Sequence, residues 1–287
     1  IVEDIYMHEM RILLKIEFKR LLKNKMLYIS LLIGIIITMG AFVDKAVPHM
    51  DILNGYNGNV ASYPFSVFNS WMGMFIGFDP FATAYVYVCM LLCSLPYCGL
   101  FVRDNNNQYI LQYYSRASKN KVNSAKFIVT FVSGGLIVLI PVVVNLLATM
   151  MFIPALLPVE NGLFIASGKS IMSCLFVNKP FVYTFIYLLQ FFIYGGAFSV
   201  VSLAVSFIFD NYFLVLISPF VSYYAVGVIS TVLKNLFGFY TFNPMALISP
   251  SYILMDIGLI GFILEPIIII LLSGLIFFKK GAQNEVL

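Results

Sequence analysis

The chain has 287 residues, of which 61% are apolar and only 10% charged, and its mean hydropathy is +0.95. A soluble domain is roughly 45–50% apolar and about 25% charged, so the composition excludes a water-soluble globular protein and places the chain in lipid. A net charge of +4 spread along such a sequence is too diffuse to mark a nucleic-acid surface.

Hydrocarbon offers no water to backbone amides, so they must be satisfied inside helices, and the fold class is an all-α integral membrane protein with one transmembrane domain over 1–287. The first element, 7–25, is amphipathic. Met10, Leu14, Phe18, Leu21 and Leu22 recur at helical spacing, while Arg11, Lys15, Lys19 and Lys23 share another face. This pattern predicts a helix lying at the membrane interface, with its cations near anionic headgroups.

An apolar run of 18 residues spans about 27 Å as a helix, close to the thickness of the hydrocarbon. Five segments meet this length: 26–43, 81–102, 127–153, 181–209 and 212–232. A sixth, 257–278, is interrupted by Glu265-Pro266. A helix starting only at Pro266 would rise about 20 Å and fall short, so the residues before the proline must help to cross, with a kink. No cleavable leader is expected, because the first apolar run follows a long charged segment and is itself long enough to span.

Lysine and arginine set the orientation. Arg11, Lys15, Lys19, Arg20, Lys23, Lys25, Arg103, Arg116, Lys119, Lys121, Lys126, Lys279 and Lys280 fall on one side of a six-span arrangement, and Lys45, Lys169, Lys179 and Lys234 on the other. Thirteen against four predicts cytoplasmic termini, a cytoplasmic loop at 103–126 and residence in the plasma membrane.

Between the first two spans lies a turn-rich stretch, 54–59, followed by Phe65, Phe68, Trp71, Met72, Met74 and Phe75. Such aromatics lie either at the headgroup level or on a substrate-facing surface. In the loop 103–126, the segment 108–114 predicts a short helix that presents Tyr109, Ile110, Leu111, Tyr113 and Tyr114 to the cytoplasm. A solvated connector has no need of so many large apolar groups. They serve a partner surface or pack back on the helix ends.

Small residues line single faces of the fourth span (Gly195, Ser199, Ser202, Ser206) and the fifth (Ser218, Ser222, Ala225), suited to close packing within the chain, a dimer seam or a pathway wall. Glu265 is the one acid clearly within a span. It is either hydrated and bonded to backbone freed by Pro266, or a site of proton or substrate coupling.

This layout resembles the membrane (permease) subunit of an ABC-2 type ABC transporter. The matching parts are an interfacial elbow helix, a span, an outer loop, a second span, and a short cytoplasmic coupling helix within 104–121. Ser115-Arg116-Ala117-Ser118 and Ser124-Ala125-Lys126 stand where such permeases carry a similar Ser-Arg and Ala-Lys. Asn243-Pro244 and Ser249-Pro250 punctuate 237–263, matching the family's re-entrant outer hairpin before the last span. The long first outer loop departs from the shortest members.

The resemblance implies an exporter that works as a dimer of this chain, or with a related permease. Separate ATP-binding subunits holding ATP and Mg would dock on the coupling segment, here Asp104, Gln108, Tyr109, Leu111, Tyr113, Tyr114 and Arg116. The cargo expected is amphiphilic: a peptide, antibiotic or lipid.

No catalytic or metal site is expected in the chain. The glycine-bearing run 162–170 has five residues between its glycines, where a phosphate loop needs four. His8 and His49 are assigned to opposite sides, and Cys89, Cys93, Cys98 and Cys174 show no metal-binding spacing. Two other readings stand beside the exporter. A channel or a non-transporting immunity or sensor subunit is one, although only Asn145, Gln190 and Glu265 interrupt the spans. A secondary transporter resting on Glu265 is the other.

Overall fold

The structure, a computed structural model, describes residues 2–48, 66–107, 109–115, 117–158, 171–209, 211–237, 243–250 and 259–283. The turn-rich 54–59, Phe65, His49, the run 162–170, Gln108, Arg116 and most of the expected hairpin at 237–263 lie outside them.

The described residues are helical, with no strand beyond one isolated bridge between Ile76 and Asp79. Helix α1 is Val2–Leu22 and α2 is Lys25–Ala41, extended by one π turn, Phe42–Ala46. A short α3, Val67–Ser70, and a 3-10 turn, Met72–Phe75, precede α4, Pro80–Leu92, and α5, Leu95–Asn106. Then come α6, Tyr109–Tyr114; α7, Lys119–Phe152; α8, Ser173–Asn178; and α9, Pro180–Val205. The chain ends with α10, Tyr212–Phe237; α11, Pro244–Ile248; and α12, Leu259–Gln283. Among the described residues, six stretches are long and apolar enough to cross a membrane: Lys25–Ala46, Pro80–Asp104, Lys119–Phe152, Pro180–Val205, Tyr212–Leu233 and Leu259–Lys280. The chain is therefore a multi-pass membrane protein. The second stretch consists of two helices, α4 and α5, joined at Cys93-Ser94, where the Ser94 hydroxyl donates to the carbonyls of Leu91 and, on α10, Leu216.

The bundle is built on the crossing of α7 and α9, where Gly134-Gly135 faces Gly195-Gly196. A Cβ on Gly134 would come within 2.7 Å of the Gly195 carbonyl oxygen, and one on Gly195 within 2.8 Å of the Gly134 oxygen. Only glycines let two backbones approach this closely in lipid. Ser199 follows one turn on and donates to the Thr130 carbonyl of α7 at 2.7 Å, and Ser202 bonds Cys98 of α5. These members of the fourth-span stripe thus pack within the chain.

Prolines inside the spans cost less than their sequence suggests. Pro266 offers no N–H to the Phe262 carbonyl, and Gln190 of α9 fills the gap by donating its side-chain amide to that oxygen at 3.0 Å. Helix α12 consequently continues unbroken through Pro266. In α10, the Val215 carbonyl that Pro219 leaves free accepts from the Ser218 hydroxyl at 2.8 Å.

The aromatic stretch after the first loop is buried in the bundle rather than on an open surface. Phe68, Trp71, Met72, Met74 and Phe75 are at most 2% exposed and belong to the main core. Residues 66–76 turn back into the bundle because their backbone finds partners there. The Met72 N–H donates to Asn145 Oδ1 at 3.0 Å, the Val67 N–H donates to the Pro154 carbonyl, and Asn145 Nδ2 donates to the Thr38 carbonyl of α2 at 2.8 Å. With amides satisfied away from water, each large side chain gains about 1.5–3 kcal/mol by burial.

Candidate functional site

Helix α1 packs its apolar face on α7 rather than lying free. Leu13 and Leu21 are buried, with Leu14 and Phe18 packed beside them. Glu17 sits between Leu13 and Leu21 at a spacing of four, so the same face carries a carboxylate into the protein at 1% exposure.

That carboxylate meets two cations and a phenol. Lys126, the last basic residue before the apolar part of α7, is fully buried, with its ammonium 3.1 Å from Asp104 Oδ2 and 3.4 Å from Glu17 Oε1. Arg20 forks onto Asp104, with Nη2 to Oδ1 at 2.6 Å and Nη1 to Oδ2 at 2.9 Å, and also reaches Glu17 at 3.2 Å. The Tyr97 hydroxyl donates to Glu17 Oε2 at 2.9 Å. Two anions and two cations from α1, α5 and α7 thus form a closed, neutral group in which each carboxylate accepts several charge-assisted hydrogen bonds.

Aromatic rings seal the cluster. The Lys126 ammonium lies 5.3 Å from the ring centre of Tyr113, 5.5 Å from that of Phe101 and 6.0 Å from that of Tyr97. The Arg20 guanidinium lies 5.3 Å from the ring centre of Tyr109. Both tyrosines that cover cations from outside the spans belong to α6, so cation–π attraction holds that short helix over the cluster. A second tie runs from Lys121 Nζ to Glu9 at 2.7 Å, and the Tyr114 hydroxyl donates to Asn123 of α7 at 3.0 Å.

Desolvation works against the Arg20 charge, but the Asp104 hydrogen bond and the fields of Glu17 and Asp104 outweigh it and hold its pKa above the ordinary arginine value. Burial, followed by the field of Glu17, pushes the Tyr113 phenol up to about 12. The cover over Lys126 therefore stays neutral at physiological pH.

Between α1 and α6 lies a cleft of about 370 Å³ lined by Glu9, Ile12, Ile16, Tyr109, Gln112 and Tyr113. Ile12, Ile16 and Tyr109 are 40–46% exposed. This is an apolar strip beside a polar rim, at the end of the bundle that carries the lysines and arginines.

The residues picked out by sequence divide into two sets here. Asp104 points inward and anchors the cluster, and Tyr113 and Tyr114 are half-buried under it, whereas Tyr109 faces outward. Gln108 and Arg116 lie outside the described residues, as does the side chain of Leu111. On α1, Arg11, Lys15, Lys19 and Leu22 are exposed and Phe18 is half-buried. Sequence reasoning missed Tyr97 and, at the centre of the group, Glu17. The signal for Glu17 was an acid in register with the leucines of an otherwise basic amphipathic helix.

Glu265 stands apart from this group. Its Oε2 accepts from the Tyr194 hydroxyl at 2.9 Å, while Oε1 is buried without a hydrogen-bond partner. Among the described residues, no group of three or more His, Cys, Asp or Glu is arranged to hold a metal ion. Comparison with protein-family models, with curated proteins and with solved structures found no match.

Proposed function

We propose that this chain is the membrane subunit of an ATP-driven exporter of the ABC-2 type. In this reading two copies, or this chain and a related permease, form the pathway in the plasma membrane, and ATP with Mg is bound and hydrolysed on separate subunits docked at the cytoplasmic, lysine-rich end. The cargo is an amphiphile such as a peptide, antibiotic or lipid.

The observation that supports this most is the enclosure of Lys126 by Glu17 of α1, Asp104 of α5 and Tyr113 of α6. A force applied to α6 is then delivered to α7, the longest helix, and through the glycine crossing to α9. The exposed Tyr109 and Gln112 beside Ile12 and Ile16 offer a partner an aromatic anchor in an apolar strip. ATP would act by stabilising one arrangement of the bundles, since a ligand shifts an equilibrium only by its differential affinity for the two states.

A channel needs polar groups free to line a pore, yet Asn145 and Gln190 are committed to backbone partners, which weighs against that reading.

Co-purification with the ATP-binding subunit tests the proposal. Tyr109→Asp combined with Gln112→Asp changes only exposed positions; membrane insertion should persist, the melting temperature should fall only slightly as the Arg20–Tyr109 contact is lost, and the partner should be lost. Undiminished co-purification would remove α6 as the docking element. Replacing Leu111, Tyr113 and Tyr114 with Asp as well is expected to be at least as severe, with added destabilisation because Tyr113 and Tyr114 are half-buried.

A further inference from the structure

A second cleft at the lysine-rich end, of about 440 Å³, lies between the starts of α2 and α10 and one side of α5. Its rim carries Arg103, Asn107 and Tyr212, all exposed, and its floor is apolar, with Leu95 and Leu100. We propose that it binds one anionic phospholipid of the cytoplasmic leaflet, with the phosphate on Arg103, Asn107 and the Tyr212 hydroxyl and an acyl chain along Leu95 and Leu100. The proposal rests on the orientation in the reading above and on nothing about ATP.

Charge is the first argument. Arg20, Lys121 and Lys126 are each neutralised by a carboxylate of the chain, whereas Arg103 meets no carboxylate among the described residues; Asp210 lies outside them. Two helices also open at this rim. Asn24 Oδ1 accepts from the Met26 N–H at the start of α2, and Asn211 Oδ1 accepts from the Phe213 N–H at the start of α10. Both helix N-termini therefore border the cleft and add positive potential to it.

Shape is the second. Leu95 precedes Arg103 by eight residues on one helix and so lies about 12 Å from it along the helix axis. The cleft is polar around Arg103 and apolar around Leu95 and Leu100, which matches a phospholipid and leaves inorganic phosphate nothing for the apolar part to hold.

Gly99 preserves the opening. A Cβ there would lie 2.9 Å from the Tyr212 hydroxyl oxygen and 3.0 Å from its ring, so a larger residue would displace the tyrosine into the cleft. Asn24 forms a wall rather than a contact, because its amide donates to the Pro96 carbonyl and its oxygen caps α2.

The test is lipid retention. The whole chain is purified from vesicles of phosphatidylcholine with and without phosphatidylglycerol, and bound lipid is read by native mass spectrometry together with the melting temperature. One phosphatidylglycerol per chain should be retained and should raise the melting temperature, and inorganic phosphate should do neither. Arg103→Gln should weaken retention roughly tenfold or more, because a charge-assisted contact is lost, and Arg103→Lys should restore part of it. Gly99→Phe should expel the lipid. Lys280→Gln, an equal loss of charge at another exposed position, should retain it. Undiminished retention in Arg103→Gln, an equal loss in Lys280→Gln, or stabilisation by inorganic phosphate alone would overturn the site. The vesicles carry the same lipid in both leaflets, so the result does not depend on the orientation or on an ATP-binding partner.

Discussion

At the lysine-rich end, Glu17, Asp104 and Lys126 are buried together with a partly exposed Arg20 under the tyrosines of α6. At the far end, residues 66–76 also turn into the bundle, but this buried stretch holds no charge, and its backbone is fixed by neutral hydrogen bonds, from the Met72 N–H to Asn145 and from the Val67 N–H to the Pro154 carbonyl. A charge cluster depends on all its members, because removing one leaves an ion uncompensated in a low dielectric. An amide bridging two backbone groups fails more gently. The first design joins elements that must move together; the second holds a segment in place.

Breaking the cluster should therefore have the largest effect. Asp104→Ala leaves Arg20 and Lys126 short of their carboxylate and should cost about 3–5 kcal/mol, read as a fall in melting temperature in detergent. Asp104→Leu combined with Lys126→Leu removes one charge of each sign and leaves Arg20 on Glu17. It should be less harmful than the single change; a double variant worse than the single would mean that the cluster is not balanced as described.

The far end comes next. Asn145→Leu strands the buried Met72 N–H and should cost about 1–3 kcal/mol. Trp71 is the only tryptophan and is 1% exposed, so its emission should shift to the red as the segment loosens. An unshifted spectrum would show that Asn145 does not hold it.

At the crossing that joins the two ends, Gly134→Ala places a methyl 2.7 Å from the Gly195 oxygen. It should cost about 1–3 kcal/mol through overpacking. Smallest is Glu265→Gln, which keeps an acceptor for Tyr194 and should change the melting temperature little. A large loss of transport at unchanged stability would place Glu265 in the pathway.

The helical class and the six spans were legible because length and hydropathy fix them locally. The start of α10 at Tyr212 falls where the apolar run begins, while α7 begins at Lys119, well before its apolar part, because polar residues continue a helix outside lipid as readily as apolar ones. Lys126 and Asp104 were visible as residues of interest, but their mutual contact was not, since nothing in a sequence brings positions 22 apart into register. Glu17 was hidden by its basic neighbours. The burial of Trp71 and Met72 could not be read either. It depends on Asn145, more than 70 positions along, supplying an acceptor that turns a surface-like aromatic stretch inward.

Cysteine accessibility tests the proposed cytoplasmic docking role of α6 most directly. Cys174 is the one exposed cysteine, and Cys89, Cys93 and Cys98 are buried, so a membrane-impermeant maleimide has a single native target, assigned to the outer side. In intact cells the reagent should label Cys174, and Tyr109→Cys in a Cys174→Ser background should remain unlabelled. In inside-out vesicles Tyr109→Cys should react and become shielded when the ATP-binding subunit is present. Labelling of Tyr109→Cys from outside intact cells would put α6 on the wrong face of the membrane and contradict a handle for a cytoplasmic motor.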